Sequence, residues 1–245
     1  QVSIIMPYFK KKKFIENSIR CILNQSYQNF QIIIVDDELS LESSEVLKRI
    51  HSLDKRIKVI NNPQNLGAGQ SRNSGIEVAS GDLIAFCDCD DLWKETKLEK
   101  QINFMRETQS DLSFTAYEII DEDGLIIGSR KAKNILIFND LIKSCDIGLS
   151  TVILKKELFN NLDYKFAHLK TKEDYVLWLK MVQDGKMFRG LNEYLSSWRK
   201  SKNSLSSSIF QKLTDGFQVY RVYLKYNIFK SLICLFVLSV NSILR

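Results

Sequence analysis

The chain has 245 residues, 44% hydrophobic and 26% charged, enough to bury one substantial α/β core without a second domain. Its formal charge of +6 suits an anionic partner, yet the basic residues are spread along the chain apart from 10–13, and no zinc-finger or RNA-recognition signature is present, which argues against nucleic acid. Five cysteines without a regular framework fit a reducing compartment, and the apolar run 2–6 is stopped by Pro7 rather than extended into a secretory signal, so a cytoplasmic location is expected.

Residues 2–6 read as a buried strand, and 14–24 carry Phe14, Ile15, Ile19, Ile22 and Leu23 on one helical face. The β-branched run 30–35 is a second strand, ended by Asp36 and Asp37. A helix over 41–53, a strand over 57–60, a polar turn at 61–63 and a glycine-punctuated stretch leading into a helix follow. The strand 83–86 then runs into Asp88, Asp90 and Asp91. Strand and helix alternate four times, a rhythm that predicts an α/β fold with a mainly parallel central sheet flanked by helices. Ligands of such sheets bind in the crevice at the strand ends, and three carboxylates within four residues repel one another unless a cation sits among them. The cluster therefore points to a hard divalent ion held against a phosphorylated substrate; a solvated acidic turn is the plain alternative. Cys87 and Cys89, which alternate with these acids, have no second Cys/His pair nearby and read as small strand-end residues rather than zinc ligands.

Four blocks in this order resemble the family 2 inverting glycosyltransferases: 2–9; Ile34-Val35-Asp36-Asp37 with the stretch 24–30 before it; Asn65-Leu66-Gly67 with Arg72-Asn73-Ser74-Gly75-Ile76; and 81–93. The resemblance implies a GT-A fold with a Rossmann-like nucleotide-binding half over 1–105 and an acceptor half over 106–208. It also implies a UDP-sugar donor and a manganese or magnesium ion at the acidic motif. By the same resemblance Asp36 would contact the uracil, with Pro7 and Tyr8 beside it; Arg72 would lie in the donor pocket, Asp88 near the ribose, and Asp90 on the metal. Carboxylates accept from ring N–H groups and ribose hydroxyls, and a guanidinium's fixed charge and forked donors suit phosphate, so the residue types agree with those roles. The plain alternatives are a turn or cap residue for Asp37 and a surface arginine for Arg72. Gly67 and Gly69 permit a close backbone approach to a ligand, and Asp91 is expected to cap a helix over 93–105. Lys10 stands where the family commonly has asparagine and is read as part of a solvated loop.

In the second half, 116–120 and 125–128 read as a hairpin, and 150–154 as a strand behind Gly148. Glu173 and Asp174 open a helix that closes at Gly185. Two acids in a first turn commonly complement the helix dipole. Here, however, Glu173-Asp174-Tyr175 followed by Leu177-Trp178-Leu179 resembles the family segment whose aspartate is the general base. That makes Asp174 the catalytic residue, taking a proton from an acceptor hydroxyl, with Glu173 orienting the acceptor or the base. In the family the Gly148 loop, here with Thr151, borders the acceptor, and His168 is expected to touch it, whereas His51 lies on a surface helix. The stretch 198–206 resembles a closing loop in which Arg199 approaches the diphosphate; Ser201 replaces an expected histidine, so water or phosphate would complete the metal shell. The serine-rich run 204–208 suits a loop that orders over the donor.

From residue 209 onward, Leu213, Phe217, Tyr220, Leu224 and Ile228 form an apolar helical face opposite Gln211, Asp215, Gln218, Arg221 and Lys225. The apolar run 231–240 is too short to span a bilayer. A C-terminal segment over 209–245 lying on an anionic membrane surface through Lys212, Arg221, Lys225 and Lys230 is expected; the alternative is packing on its own domain or in a homo-oligomer. Together these features point to an enzyme, peripheral on the inner face of the bacterial plasma membrane, that moves a sugar from a UDP-sugar to a glycan acceptor, a lipid-diphosphate-linked one above all. A sugar nucleotidyltransferase would carry a glycine-rich loop after the first strand, which 7–13 lacks, and a basic membrane-binding module would show no metal-dependent affinity for UDP-sugars.

Overall fold

A computed structural model describes residues 1–201 and 208–243. Four strands, β1 (Val2–Tyr8), β2 (Phe30–Asp36), β3 (Ile57–Asn61) and β4 (Leu83–Phe86), alternate with helices α1 (Ile15–Leu23), α2 (Leu41–His51) and α3 (Ala68–Glu77). All four strands are parallel, with β1 in the middle between β2 and β4. The second half adds β5 (Leu92–Trp93), α4 (Lys97–Thr108), β6 (Leu112–Ile120), β7 (Ile126–Arg130), β8 (Ile135–Leu136), α5 (Phe138–Leu141), β9 (Ile153–Lys155), α6 (Glu173–Gln183) and β10 (Phe188–Arg199). The sheet order is β3-β2-β1-β4-β9-β6-β10-β5, with β7 on β6 and β8 on β10. Because β9 is antiparallel to both β4 and β6, and β6 is parallel to β10, six long strands point the same way. Their C-terminal ends share one edge.

Side-chain alternation along the strands decides which helix covers which face. Val2, Ile4, Met6, Ile32 and Ile34 meet Ile19 of α1 and Leu47 of α2, while Ile5, Ile33 and Val35 look to the other side, where Ile76 of α3 lies. A Cβ on Gly75 would stand 2.5 Å from Ile5, so α3 can settle this close to β1 only without a side chain there. On that same face Phe86, Phe166, Trp178 and Phe188 form a chain of edge-to-face rings, with centroids 5.1, 6.2 and 6.1 Å apart in turn.

Three expected elements differ. Residues 150–154 are a 3-10 turn (Leu149–Thr151) followed by the short β9. The helix expected from residue 93 starts at Lys97, because Leu92 and Trp93 pair with Ser197 and Ser196 of β10. The C-terminal segment over 209–245 forms two helices, α7 (Ile209–Gln218) and α8 (Ile228–Ile243), joined through a π turn (Val219–Tyr223) and a left-handed Lys225. Its inward face also differs from the one expected: Asp215, Gly216, Val219 and Tyr220 are buried, while Leu213 is 41% exposed. Tyr220 donates to the carbonyl of Ile142 at 2.8 Å, and Val219, Tyr220 and Leu238 join the core that holds Trp178.

Lys97 is fully buried between Trp93, whose ring centre is 4.1 Å from Nζ, and Gln101, which accepts from Nζ at 2.9 Å. Desolvation lowers its ammonium to about 7. Between that value and the ordinary lysine range the unfolded chain binds a proton that the folded chain does not, so this group makes stability rise with pH across the window. Lys97→Met should therefore raise unfolding stability at pH 7 by about 1–2 kcal/mol, with the gain shrinking toward pH 10. Denaturant melts at the two pH values check this.

Candidate active site

The shared strand edge opens into a cavity of about 1500 Å³. Pro7 and Tyr8 reach it from the end of β1, Asp88 and Asp90 from the loop after β4, Arg72 from α3, Thr151 from the 3-10 turn, Glu173 and Asp174 from α6, and Arg199 from the end of β10. Residues far apart in sequence thus share one cavity because the parallel strands deliver their C-terminal ends together.

Arg72 lies at its centre, 3% exposed. One nitrogen donates to Asp88 at 2.6 Å, and the other donates to Glu173 at 2.7 Å. The guanidinium also lies 5.6 Å from the centre of the Phe166 ring. Burial opposes its charge, but Asp88 and Glu173 outweigh that and lift its pKa above the ordinary arginine value. Gly69 makes room for the arrangement, since a Cβ there would stand 2.8 Å from Cγ of Glu173. Desolvation and the neighbouring Asp174 charge, opposed by Arg72, raise Glu173 to about 7. Desolvation likewise raises Asp174, against Arg72 and a backbone hydrogen bond from Tyr175 at 2.7 Å. Two neighbouring carboxyls are thus held above their usual range, the kind of perturbation that clusters at functional sites.

The acidic motif is held differently at each position. Lys11 forms an ion pair with Asp90, and Asp88 is bound by Arg72. Asp91 does not cap a helix: its buried carboxylate accepts from the Ser150 hydroxyl and from the backbone N–H of Arg199 at 2.8 Å. Ser150 also accepts from the backbone N–H of Asp88 at 3.0 Å, so the 3-10 turn fixes the loop that presents Asp88 and Asp90.

Asp36 departs from its expected role. Its carboxylate accepts from the N–H groups of Glu38 and Leu39 and from the Ser43 hydroxyl of α2, so it faces the helix and not the cavity. Asp37 lines the cavity instead and accepts from Asn62, Asn65 and the N–H groups of Leu66 and Gly67, fixing the turn that opens α3. Arg199 reaches the cavity, but its guanidinium donates to the carbonyls of Asp90, Asp121 and Glu122 and so braces these loops. His168 is exposed and is not part of the cavity wall; the chain carries it past the rim as it turns from Phe166 toward α6. Lys10, read as part of a solvated loop, is exposed but also lines the cavity, and His51 is exposed on α2. The loop expected to order over the donor, 204–208, lies outside the described residues except for Ser208, which caps α7. Sequence reading missed Lys11, Ser150 and the lining role of Asp37. Parity along β2 would have revealed the last, because Asp36 follows Ile32 and Ile34 toward α2 while Asp37 turns the other way.

Residues 3–163 match the family described as Glycosyl transferase family 2. The chain belongs to that family. Over 243 residues this glycosyltransferase is 32% identical to TuaG of Bacillus subtilis (strain 168), a glycosyltransferase named for teichuronic acid biosynthesis, covering 99% of this chain and 96% of the relative. It is 37% identical over 219 residues to WfgD of Escherichia coli, a UDP-Glc:alpha-D-GlcNAc-diphosphoundecaprenol beta-1,3-glucosyltransferase, covering 89% and 84%. The fold matches S. aureus TarS 1-349 in complex with UDP-GlcNAc with a TM-score of 0.77 at 20% identity, over 96% of this chain and 70% of that one. The glycosyltransferase therefore has the GT-A architecture, and its chain ends in two helices.

Among the described residues no three His, Cys, Asp or Glu side chains converge as a ready-made cation site. Hard cations such as magnesium are commonly held by one or two carboxylates together with substrate phosphates, and Asp88 and Asp90 at the cavity wall fit that pattern.

Removing Arg72 leaves Glu173 buried beside Asp174 without its cation. Arg72→Met should cost about 3 kcal/mol, mostly through Glu173, because Asp88 is a third open to the cavity and partly screened. Folded Glu173 keeps a proton that the unfolded chain releases between the ordinary glutamate range and about 7, so this group's contribution to stability falls as pH rises through that window. Without Arg72 the window extends upward. The variant's deficit should grow from pH 5 to pH 8, as measured by thermal melts of both proteins.

Proposed function

We propose that this glycosyltransferase is metal-dependent and inverting, and that it moves a sugar from a UDP-sugar to a hydroxyl of a lipid-diphosphate-linked glycan in bacterial surface polysaccharide (O-antigen, capsule or LPS) biosynthesis. One arrangement carries the reading: Arg72 joins Asp88 of the acidic motif to Glu173, so that Asp174, the next residue, faces the cavity that Asp90 also faces. The UDP-GlcNAc bound by TarS and the UDP-Glc and diphosphoundecaprenol substrates in the name of WfgD support the donor and acceptor classes. Residues 1–105 would form the donor half and 106–208 the acceptor half, with 209–245 as the tail.

In this reading the base packs near Pro7 and Tyr8, with Asp37 holding the Asn65–Gly67 turn beneath it. Asp90 with Asp88 would hold manganese or magnesium, which when bound supplies positive charge to the departing diphosphate. Lys11 stands on Asp90 and is placed to meet the same phosphates. Asp174 removes the proton of the acceptor hydroxyl as that oxygen bonds to the anomeric carbon, and the bond to the UDP oxygen breaks with its electron pair. Attack from the side opposite the nucleotide inverts the centre. Thr151, at the cavity wall on the Gly148 turn, borders the acceptor.

The tail supports work at a membrane. No helix among the described residues is long and apolar enough to cross one. Yet Ile209, Phe210, Phe229, Leu232, Ile233 and Phe236 are exposed, by 50–80%, beside Arg221, Lys225 and Lys230. Such a face suits the headgroup region of an anionic bilayer, which would hold the enzyme peripherally on the cytoplasmic side.

Asp174→Asn should retain UDP-sugar affinity within about twofold and lose transfer by about 10³-fold or more, whereas Asp90→Ala should lose manganese-dependent donor binding. Calorimetric titration with UDP-glucose and UDP-GlcNAc, with and without manganese, together with a product assay, separates the two; normal transfer by Asp174→Asn removes the base assignment. The activity of wild type should rise with pH through an apparent pKa above the usual carboxylate range. Glu173→Gln should move that limb to lower pH, because one of two neighbouring negative charges is gone. A kcat/KM profile from pH 4.5 to 8.5 reads the shift.

A further inference from the structure

The cavity that Asp174 lines is also lined by Lys170, Lys172 and Lys212, and by Leu213, Leu235 and Leu238 of the two C-terminal helices. None of the three lysines has a carboxylate partner among the described residues. Asp215, one turn along α7 from Lys212, is already engaged: it accepts from the backbone N–H and the hydroxyl of Thr171, both at 2.8 Å, and from Gln211 at 2.9 Å. Those bonds clamp the 170–172 segment to α7. The stem of Lys172 runs over Gly216, where a Cβ would stand 3.5 Å from its Cε, so the lysine is steered along the helix by packing. Partial desolvation, with Lys172 and Lys200 close by, pushes the Lys212 ammonium below its ordinary value. Lys172 opposes the rise of the neighbouring Asp174 carboxyl, whereas Lys170 and Lys212 have no ion pair among the described residues, and like charges gathered at a cavity wall favour an anion between them.

One cavity thus combines a carboxylate, a cationic cluster and an apolar surface, and Lys172 and Leu235 meet over Gly216. A sugar joined through a diphosphate to a long hydrocarbon presents a hydroxyl, two phosphates and an isoprenoid chain, one group for each. We propose that Lys170, Lys172 and Lys212 form the subsite for the diphosphate of a polyprenyl-diphosphate-linked acceptor, with Leu213, Leu235 and Leu238 receiving the first isoprene units. This rests on the glycosyltransferase reading above, and it assigns the tail to the acceptor pathway as well as to the membrane. Lys172 also occupies the left-handed position that starts α6, so charge at the subsite and the orientation of Asp174 share one stretch of backbone.

The test uses the full chain with its donor site filled by UDP and manganese, and farnesyl diphosphate, farnesyl monophosphate and farnesol as probes in calorimetry. Farnesyl diphosphate should bind without displacing UDP, more tightly than the monophosphate, and farnesol weakest. Lys170→Ala/Lys212→Ala should weaken farnesyl diphosphate roughly tenfold or more, through loss of charge-assisted contacts, and leave UDP affinity within about twofold, which also shows that the variant is folded. Equal farnesyl diphosphate affinity in variant and wild type would overturn the subsite, and so would one-for-one displacement by UDP, which would assign the lysines to the donor. Failure of wild type to bind UDP at all would instead overturn the donor reading on which the subsite rests.

Discussion

A single buried cation holds the two halves of this enzyme in register. Arg72 comes from the helix that follows β3, Asp88 from the loop that follows β4, and Glu173 from a helix a hundred residues downstream. Each carboxylate alone would be costly where it stands, as would the guanidinium. Together they are compensated, and the geometry that satisfies them is the one in which the C-terminal edge of the sheet faces the N-terminus of α6. Among the described residues Arg72 Nε has no hydrogen-bond partner, and the guanidinium lies 5.6 Å from the centre of the Phe166 ring. Asp174 inherits its place from this pairing.

Other contacts extend the constraint outward. Trp93 donates to the Ser150 carbonyl at 2.8 Å, and Gln101 donates to that of Thr151 at 2.8 Å, so α4 and β5 hold the turn that in turn holds Asp88 and Asp91. Lys97 and Gln101 complete that support from the core, which explains a buried lysine in an otherwise apolar region. On the far side, Thr171 is fixed to Asp215 and Tyr175 lies 3.2 Å from Tyr220, oxygen to oxygen. The helix that carries Asp174 is thereby coupled by packing to the tail, whose residues also line the cavity.

The parts of this architecture that depend on local periodicity were legible in the sequence. β1 to β4 and α1 to α3 announce themselves by β-branched runs, helical faces and turn residues, and the ordered motifs of the first hundred residues carried the family resemblance. What was not legible depends on where a side chain turns at the end of an element. Asp36 and Asp37 are identical in type and adjacent, and strand parity sends one to Ser43 and the other to the cavity. Asp91 has the look of a helix cap, yet β10 returns beside it, and the N–H of Arg199 and the hydroxyl of Ser150 claim the carboxylate. Asp215 falls on the polar side of an idealised helix and is nonetheless buried, because Thr171 offers two donors. The departures of Asp91 and Asp215 involve partners more than forty residues away, a distance at which propensity and spacing carry no information.

The central claim is that the donor's anomeric carbon lies between the acidic motif and Asp174. A crystal structure of the full chain with a UDP-sugar and manganese measures this most directly. The account predicts the diphosphate against Asp90, with Arg72 still bridging Asp88 and Glu173, and a carboxylate oxygen of Asp174 on the opposite face of the sugar, leaving room for one hydroxyl within hydrogen-bond reach of about 3 Å. A donor bound with its sugar pointing away from α6, or an Asp174 carboxylate turned out of the shared cavity, would contradict it.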